Sequence, residues 1–199
     1  MNLKREVQPM NELEIRTAKP SDASTLLAIY AYYVKETAIT FEYEVPTLSD
    51  FRQRIETTLE TYPFLVALKA GEIVGFAYAG PFNHREAYKW SVEVTIYLDP
   101  NKRRLGAGKK LYQALEAKLK AQGIQNINAC ISVPNKEDQR LNYDSMHFHE
   151  HLGYRLVGRF HACGYKFETW YDMIWMEKFI GEHSVPAPKF ISFAEMSEK

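Results

Sequence analysis

One stretch of eight residues does most to limit what this chain can become. In Ser91-Val-Glu-Val-Thr-Ile-Tyr-Leu98 the side chains alternate in character, the pattern of a strand with two different faces. Val92, Val94, Ile96 and Leu98 fall on one face, and Glu93, Thr95 and Tyr97 on the other. The strand runs through Asp99-Pro100 into Arg103-Arg-Leu-Gly106-Ala-Gly108, and a helix is predicted from Gly108 to Gln122. Leu111, Leu115 and Leu119 recur there at helical spacing, and Gly123 is a stop. A strand, a glycine turn and a helix in that order bring unpaired helix N–H groups and the positive end of the helix dipole to the strand's end, which suits a phosphate. Arg103, Arg104, Lys109 and Lys110 add charge at the same place. Taken alone, the glycine pair equally describes a tight turn with a solvated basic cluster. Two phosphate motifs do not fit: a dinucleotide fingerprint needs a third glycine where Leu111 stands, and a nucleotide P-loop needs glycine at Arg103 and Ser or Thr at Lys110.

Around this unit the chain reads as alternating short elements. Glu14–Ala18 is a strand, and Leu26, Leu27, Ile29, Tyr30, Tyr33 and Val34 mark a helix begun at Pro20-Ser-Asp. Thr40-Phe-Glu-Tyr-Glu-Val-Pro46 is a loop, and Phe51, Ile55 and Leu59 mark a second helix. Pro63–Leu68 and Ile73–Ala79 form a hairpin around Ala70-Gly71. Ile127–Val133 is a strand, 135–142 a charged loop, and Ser145–His151 a short helix stopped by Gly153. Two strands follow, near Tyr154–Phe160 and Trp170–Glu177. The order β-α-α-β-β-β-α-β-α-β-β predicts one α/β (α+β) domain over residues 14–181, with a mixed, mostly antiparallel sheet flanked by helices. Residues 1–13 are expected to be a frayed polar extension, and 182–199 a polar, mobile tail.

Lys and Arg number 25, as do Asp and Glu, so no net field attracts nucleic acid or an anionic membrane. No apolar run nears the roughly 20 residues of a membrane span. The first residues lack the apolar core of a signal peptide, so a cytoplasmic protein is expected. Two cysteines make no disulfide framework: Cys130 reads as a small buried hydrophobe, Cys163 as more exposed. His147-x-His149-x-His151 invites a metal reading, but on a helix His149 points about 200° away from His147, so no metal is expected.

Strand, then Pro100-x-x-Arg103-x-x-Gly106-x-Gly108, then helix, resembles the acetyl-CoA signature of the GNAT N-acetyltransferase superfamily. Asn142-x-x-Ser145-x-x-Phe148-His149-Glu-His-Leu152-Gly153-Tyr154 resembles its second segment. Tyr78-Ala-Gly-Pro81, Ala87-Tyr88-x-Trp90-x-Val92-Glu93 and Gly164-Tyr-Lys166 narrow the likeness to phosphinothricin and methionine sulfoximine acetyltransferases, over residues 14–180.

The resemblance implies a GNAT fold and an acetyl-CoA-dependent N-acetyltransferase acting in a ternary complex on a small-molecule amine, an amino acid or an analogue. Ile96, Leu98, Arg103, Arg104, Leu105, Gly106, Ala107, Gly108, Lys109, Asn142 and Ser145 would hold the coenzyme. The connection from 134 to 141 is longer than the subgroup's, so Asn135 competes with Asn142; only Asn142 keeps the spacing to Ser145. Glu93 would be the base, directly or through water, against the alternative of an ordinary strand glutamate. His149 would be the acid, against a base or a structural histidine. A backbone N–H near Val94–Ile96, on a strand that the family bulges, would receive the oxyanion. Phe41 would wall the acceptor pocket and Arg85 would grip a carboxylate, against core packing and a surface arginine respectively. Tyr165, Lys166 and Trp170 would complete the pocket or a subunit contact. A homodimer is implied as well. The competing functions are a protein or peptide N-acetyltransferase and a non-catalytic acyl-CoA sensor.

Overall fold

The computed structural model describes residues 13–102 and 104–197. Seven strands form one sheet: β1 (Leu13–Thr17), β2 (Phe64–Lys69), β3 (Glu72–Pro81), β4 (Ser91–Leu98), β5 (Asn126–Val133), β6 (Arg155–Lys166) and β7 (Thr169–Phe179). Their spatial order is β1-β2-β3-β4-β5-β7-β6. Every pairing is antiparallel except β4 with β5. The helices are α1 (Ala23–Glu36), α2 (Leu48–Thr61), α3 (Ala107–Ala121), α4 (Asp144–His151) and α5 (Phe193–Ser197). The order of elements matches the sequence reading, with α5 added. No helix among the described residues is long and apolar enough to cross a membrane.

The alternation in β4 divides the core. Val92 and Val94 are buried against α3, whose Leu111, Leu115 and Leu119 pack in the same cluster. Tyr97 turns to the other face and joins a second cluster with Leu26, Val34, Phe51 and Phe76 from α1, α2 and β3. Each of those α3 leucines is at most 1% exposed, so truncating one to alanine costs about 2–5 kcal/mol. At the start of α2 the Thr47 hydroxyl accepts from Asp50 N–H at 3.1 Å and donates to its carboxylate at 2.7 Å, which fixes where the helix begins.

Within the stretch expected to be a mobile tail, residues 188–193 are instead laid along the domain. Trp90 Nε1 donates to Pro188 O at 2.7 Å, and Ile191 exchanges hydrogen bonds with Gln122. Phe193 is buried. A Cβ at Gly123 would lie 2.5 Å from Lys189 O, so this glycine both stops α3 and makes room for the returning chain. The late strands also run longer than expected. β6 extends to Lys166 because its register slips between Phe160 and Gly164, which lets pairing resume after an irregular stretch.

Candidate active site

The β4–β5 pairing ends early. Parallel partners run only from Ser91↔Asn126 to Glu93↔Asn128, and beyond that the two strands part. On its other side β4 keeps an unbroken ladder with β3 from Pro81↔Val92 to Gly75↔Leu98, and Asp99 N–H donates to Val74 O. Strand alternation therefore turns the N–H groups of Ile96 and Leu98 away from β3, into the gap. The bulge expected near Val94–Ile96 is absent from this ladder. The gap itself frees Ile96 N–H, since its natural partner, β5, has moved away.

A cavity of about 440 Å³ fills the gap, and Glu93, Ile96, Ser145, His149 and Phe41 all face it. Glu93 is half-buried, and its carboxylate has no ion-pair or hydrogen-bond partner among the described residues. Burial alone raises its pKa above the usual carboxylate value, which makes it a better proton acceptor than a solvated glutamate. His149 comes from α4 and is 2% exposed. Its Nδ1 lies 2.7 Å from Ser145 O, so that nitrogen carries the proton. Its Nε2 lies 3.0 Å from the Tyr112 hydroxyl and accepts from it when the ring is neutral. Burial lowers the His149 pKa, and the bond to Ser145 O only partly opposes this, so the resting imidazole is neutral.

A second cavity of about 350 Å³ continues along the gap, lined by Ile96, Leu98, Arg104, Asn142, Ser145 and Phe148 among others. It leads to the first turn of α3. Gly106 has φ +75° and no side-chain cap, and nothing lies within 4 Å of where its Cβ would be. The first intrahelical bond runs from Lys110 N–H to Gly106 O. The N–H groups of Ala107, Gly108 and Lys109 are therefore left without helical partners, as at any helix start. Leu105 and Ala107 turn their side chains into the core, so only their backbone can serve a ligand. Gly108 needs reinterpretation. A Cβ there would lie 3.1 Å from the Phe148 ring, so this glycine permits α3 to pack on α4 rather than a ligand to approach. Lys109 is exposed beside this turn, and Arg103 lies outside the described residues.

Asn142 lines the second cavity, while Asn135 sits near Arg159, with Oδ1 3.4 Å from Nη2. Asn142 Oδ1 also accepts from Asp144 N–H at 3.0 Å, which starts α4. Arg85 is not brought to the site: it is exposed on the β3–β4 connection and lines neither cavity. Cys130 is not the buried hydrophobe expected. It faces the first cavity, where desolvation pushes its thiol up to about 12, with the Glu93 charge adding, so it is no thiolate at neutral pH. His147 and His151 stay exposed on α4 while His149 is buried, so the three imidazoles do not converge. The sequence marks Tyr112 only by an aromatic ring one turn after Gly108, beside the leucine stripe.

A family model described as an acetyltransferase (GNAT) domain matches residues 15–175. The chain belongs to the GNAT acetyltransferase family. A phosphinothricin N-acetyltransferase of Streptomyces viridochromogenes is 36% identical over 177 residues, 88% of this chain and 91% of that protein. An L-methionine sulfoximine/L-methionine sulfone acetyltransferase of Pseudomonas aeruginosa is 31% identical over 165 residues, 82% of this chain and 92% of that one. Among solved structures, a GNAT superfamily phosphinothricin acetyltransferase from Sinorhizobium meliloti, in complex with AcCoA, superposes with a TM-score of 0.81 at 30% identity, covering 92% of this chain and 96% of that one. This GNAT protein is thus an acetyl-CoA-dependent N-acetyltransferase with a seven-stranded, mostly antiparallel sheet.

Proposed function

We propose that the protein acetylates the amine of a small amino acid or an amino-acid analogue of the phosphinothricin or methionine sulfoximine type, in a ternary complex. One observation carries this reading: a carboxylate without a partner among the described residues, Glu93, shares a cavity with the buried His149 at the point where β4 and β5 part. The residues present suit acetyl-CoA. The bare amides of Ala107, Gly108 and Lys109, with Arg104 and Lys109 nearby, match a diphosphate, and Ile96, Leu98, Asn142 and Ser145 line the path from there to Glu93. When bound, acetyl-CoA supplies an activated acyl group.

The chain's own residues supply the rest. An ammonium has no lone pair, and an α-amino group with a reference pKa of about 7.7–8.0 is largely protonated at neutral pH. Glu93 removes that proton, directly or through a water. Ile96 N–H donates to the carbonyl oxygen as it gains negative charge. The Tyr112 hydroxyl, oriented by the neutral His149 Nε2 that accepts from it, gives its proton to the departing sulfur, and the second amine proton, released as the amide forms, replaces it. Phe41, half-buried on the α1–α2 loop, walls the acceptor side.

Leu156, Val157 and Phe160 are exposed along the edge strand β6, and we read that face as the contact of a homodimer. Both cysteines are free thiols, which suits a reducing compartment and a cytoplasmic protein. The test is thiol release from acetyl-CoA across phosphinothricin, methionine sulfoximine, common amino acids and short peptides. Turnover with free amino acids or these analogues supports the reading. Turnover with peptides only, or with no amine, overturns it.

A further inference from the structure

The α1–α2 loop carries Ile39, Thr40 and Phe41 to the cavity wall, and its sequence gives no sign of rigidity. Its neighbours hold it from two sides. On one, Lys166 near the end of β6 is only 2% exposed, and its Nζ donates to Thr37 O at 2.9 Å and to Thr40 O at 2.7 Å. Lys166 forms no ion pair among the described residues, and burial pulls its pKa down to about 8. A buried ammonium is costly unless it is well hydrogen-bonded, and here loop carbonyls provide those bonds. Its two sequence neighbours act on the same loop. Tyr165 O accepts from the Tyr43 hydroxyl, and a Cβ at Gly164 would sit 2.2 Å from the Phe41 ring. Only a glycine leaves room for that ring where it stands. On the other side, Ser132 Oγ donates to Ala38 O at 2.7 Å, and Ala38 N–H donates to Arg140 O at 3.1 Å. The long 134–141 connection thus reaches the loop as well, and its Leu141 packs with Ala38, Tyr171 and Phe41.

We propose that Gly164-Tyr165-Lys166 is a dock that fixes the α1–α2 loop, with Lys166 a positioning residue that sets Phe41 against the acceptor amine and takes no part in holding the coenzyme. The proposal rests on the reading of the cavity as an acceptor site. None of the three dock residues lines the second cavity, toward α3; of the loop they hold, Thr37 and Ile39 line it while Thr40 and Phe41 line the first cavity alone, so damage to the dock falls mainly on amine binding.

The experiment uses Lys166→Met, Gly164→Ala and Tyr43→Phe in the full chain. Lys166→Met keeps the length of the side chain but leaves two carbonyls unpaired. Gly164→Ala forces the Phe41 ring to move by about 1 Å with the lysine intact. Tyr43 is 67% exposed, so Tyr43→Phe tests the dock without touching the core. KM for the amine should rise about tenfold in Lys166→Met and Gly164→Ala, and about threefold in Tyr43→Phe. The Kd for acetyl-CoA, read by calorimetry, should stay within about twofold. Amide hydrogen exchange over residues 37–43 should speed up in all three. Equal rises in the amine KM and the acetyl-CoA Kd, or unchanged amine KM values, would overturn the dock. If the wild type acetylates no amine, the acceptor reading itself fails. Unchanged exchange over residues 37–43 in the variants overturns the dock whether or not the wild type is active.

Discussion

Two glycines with nearly the same backbone offer a matched test of the phosphate turn. Gly106 has φ +75° and Gly71, in the β2–β3 turn, has φ +81°; neither has any atom within 4 Å of an added Cβ. Alanine at either position meets no steric obstacle, so the only penalty is the left-handed conformation, about 1–2 kcal/mol. The two sites differ in what clamps them. Gly71 is bracketed by paired strands, with Lys69↔Glu72 and Leu68↔Ile73 on its flanks, and cannot relax. Gly71→Ala should therefore lower unfolding stability by about 1–2 kcal/mol and leave acetyl-CoA affinity unchanged. Gly106 closes an open turn, which relaxes in the free protein and must be restored for the amides of Ala107, Gly108 and Lys109 to face a ligand together. The same strain then appears in binding, and each 1.4 kcal/mol is tenfold, so Gly106→Ala should weaken acetyl-CoA about 5- to 30-fold with little change in stability. Calorimetric titration and urea denaturation of both variants give the two readouts. Wild-type affinity in Gly106→Ala would refute the turn as the diphosphate site.

Further outcomes follow from the site. Glu93→Gln should lower kcat by about 10²–10⁴ and remove the fall in rate that the wild type shows as pH drops through the raised Glu93 pKa, in a pH–rate profile. Folding disfavours the ionised Glu93, a cost present at high pH and absent once the carboxyl is protonated in both states, so the same variant should raise Tm more at pH 8 than at pH 5. Tyr112→Phe and His149→Ala should each slow turnover, and the double variant should cost little more than the worse single one, a coupling read from a double-mutant cycle. His149 is neutral when buried and must charge on unfolding in acid, so its stabilising contribution should fade as pH drops below about 6.5, an acid-side loss that His149→Ala should blunt in pH-dependent melts. Gly108→Ala should lower stability, because overpacking against Phe148 costs about 1–3 kcal/mol and exceeds the helix gain of up to about 1 kcal/mol; denaturant midpoints measure this.

What could be read beforehand was mostly local. The alternation of β4 places Glu93 on the face opposite Val92 and Val94, and the glycine turn marks the start of α3, because both are set by residues a few positions apart. Convergence was harder. The parting of β4 from β5 depends on where a parallel pairing between distant segments stops, and no period in either strand encodes that. Gly108 belongs to Phe148, forty positions on, so its motif suggested a ligand where the fold has a packing contact. The tail reads as polar and mobile because its partners, Trp90, Gln122 and Gly123, lie far back in the chain. Arg85 matched a relative's residue type, yet residue type does not say where an exposed side chain on a connecting loop comes to rest. Lys166 is implied by the resemblance to complete the pocket or a subunit contact, but nothing local shows that it holds loop carbonyls, since only the assembled loop buries it.

The most direct measurement is a crystal structure with acetyl-CoA bound. The account predicts the diphosphate against the amides of Ala107, Gly108 and Lys109, and the thioester carbonyl oxygen about 2.7–3.1 Å from Ile96 N, within the cavity shared by Glu93 and His149. Coenzyme seated elsewhere, for example in the aromatic-lined cavity between α2 and the sheet, would contradict it.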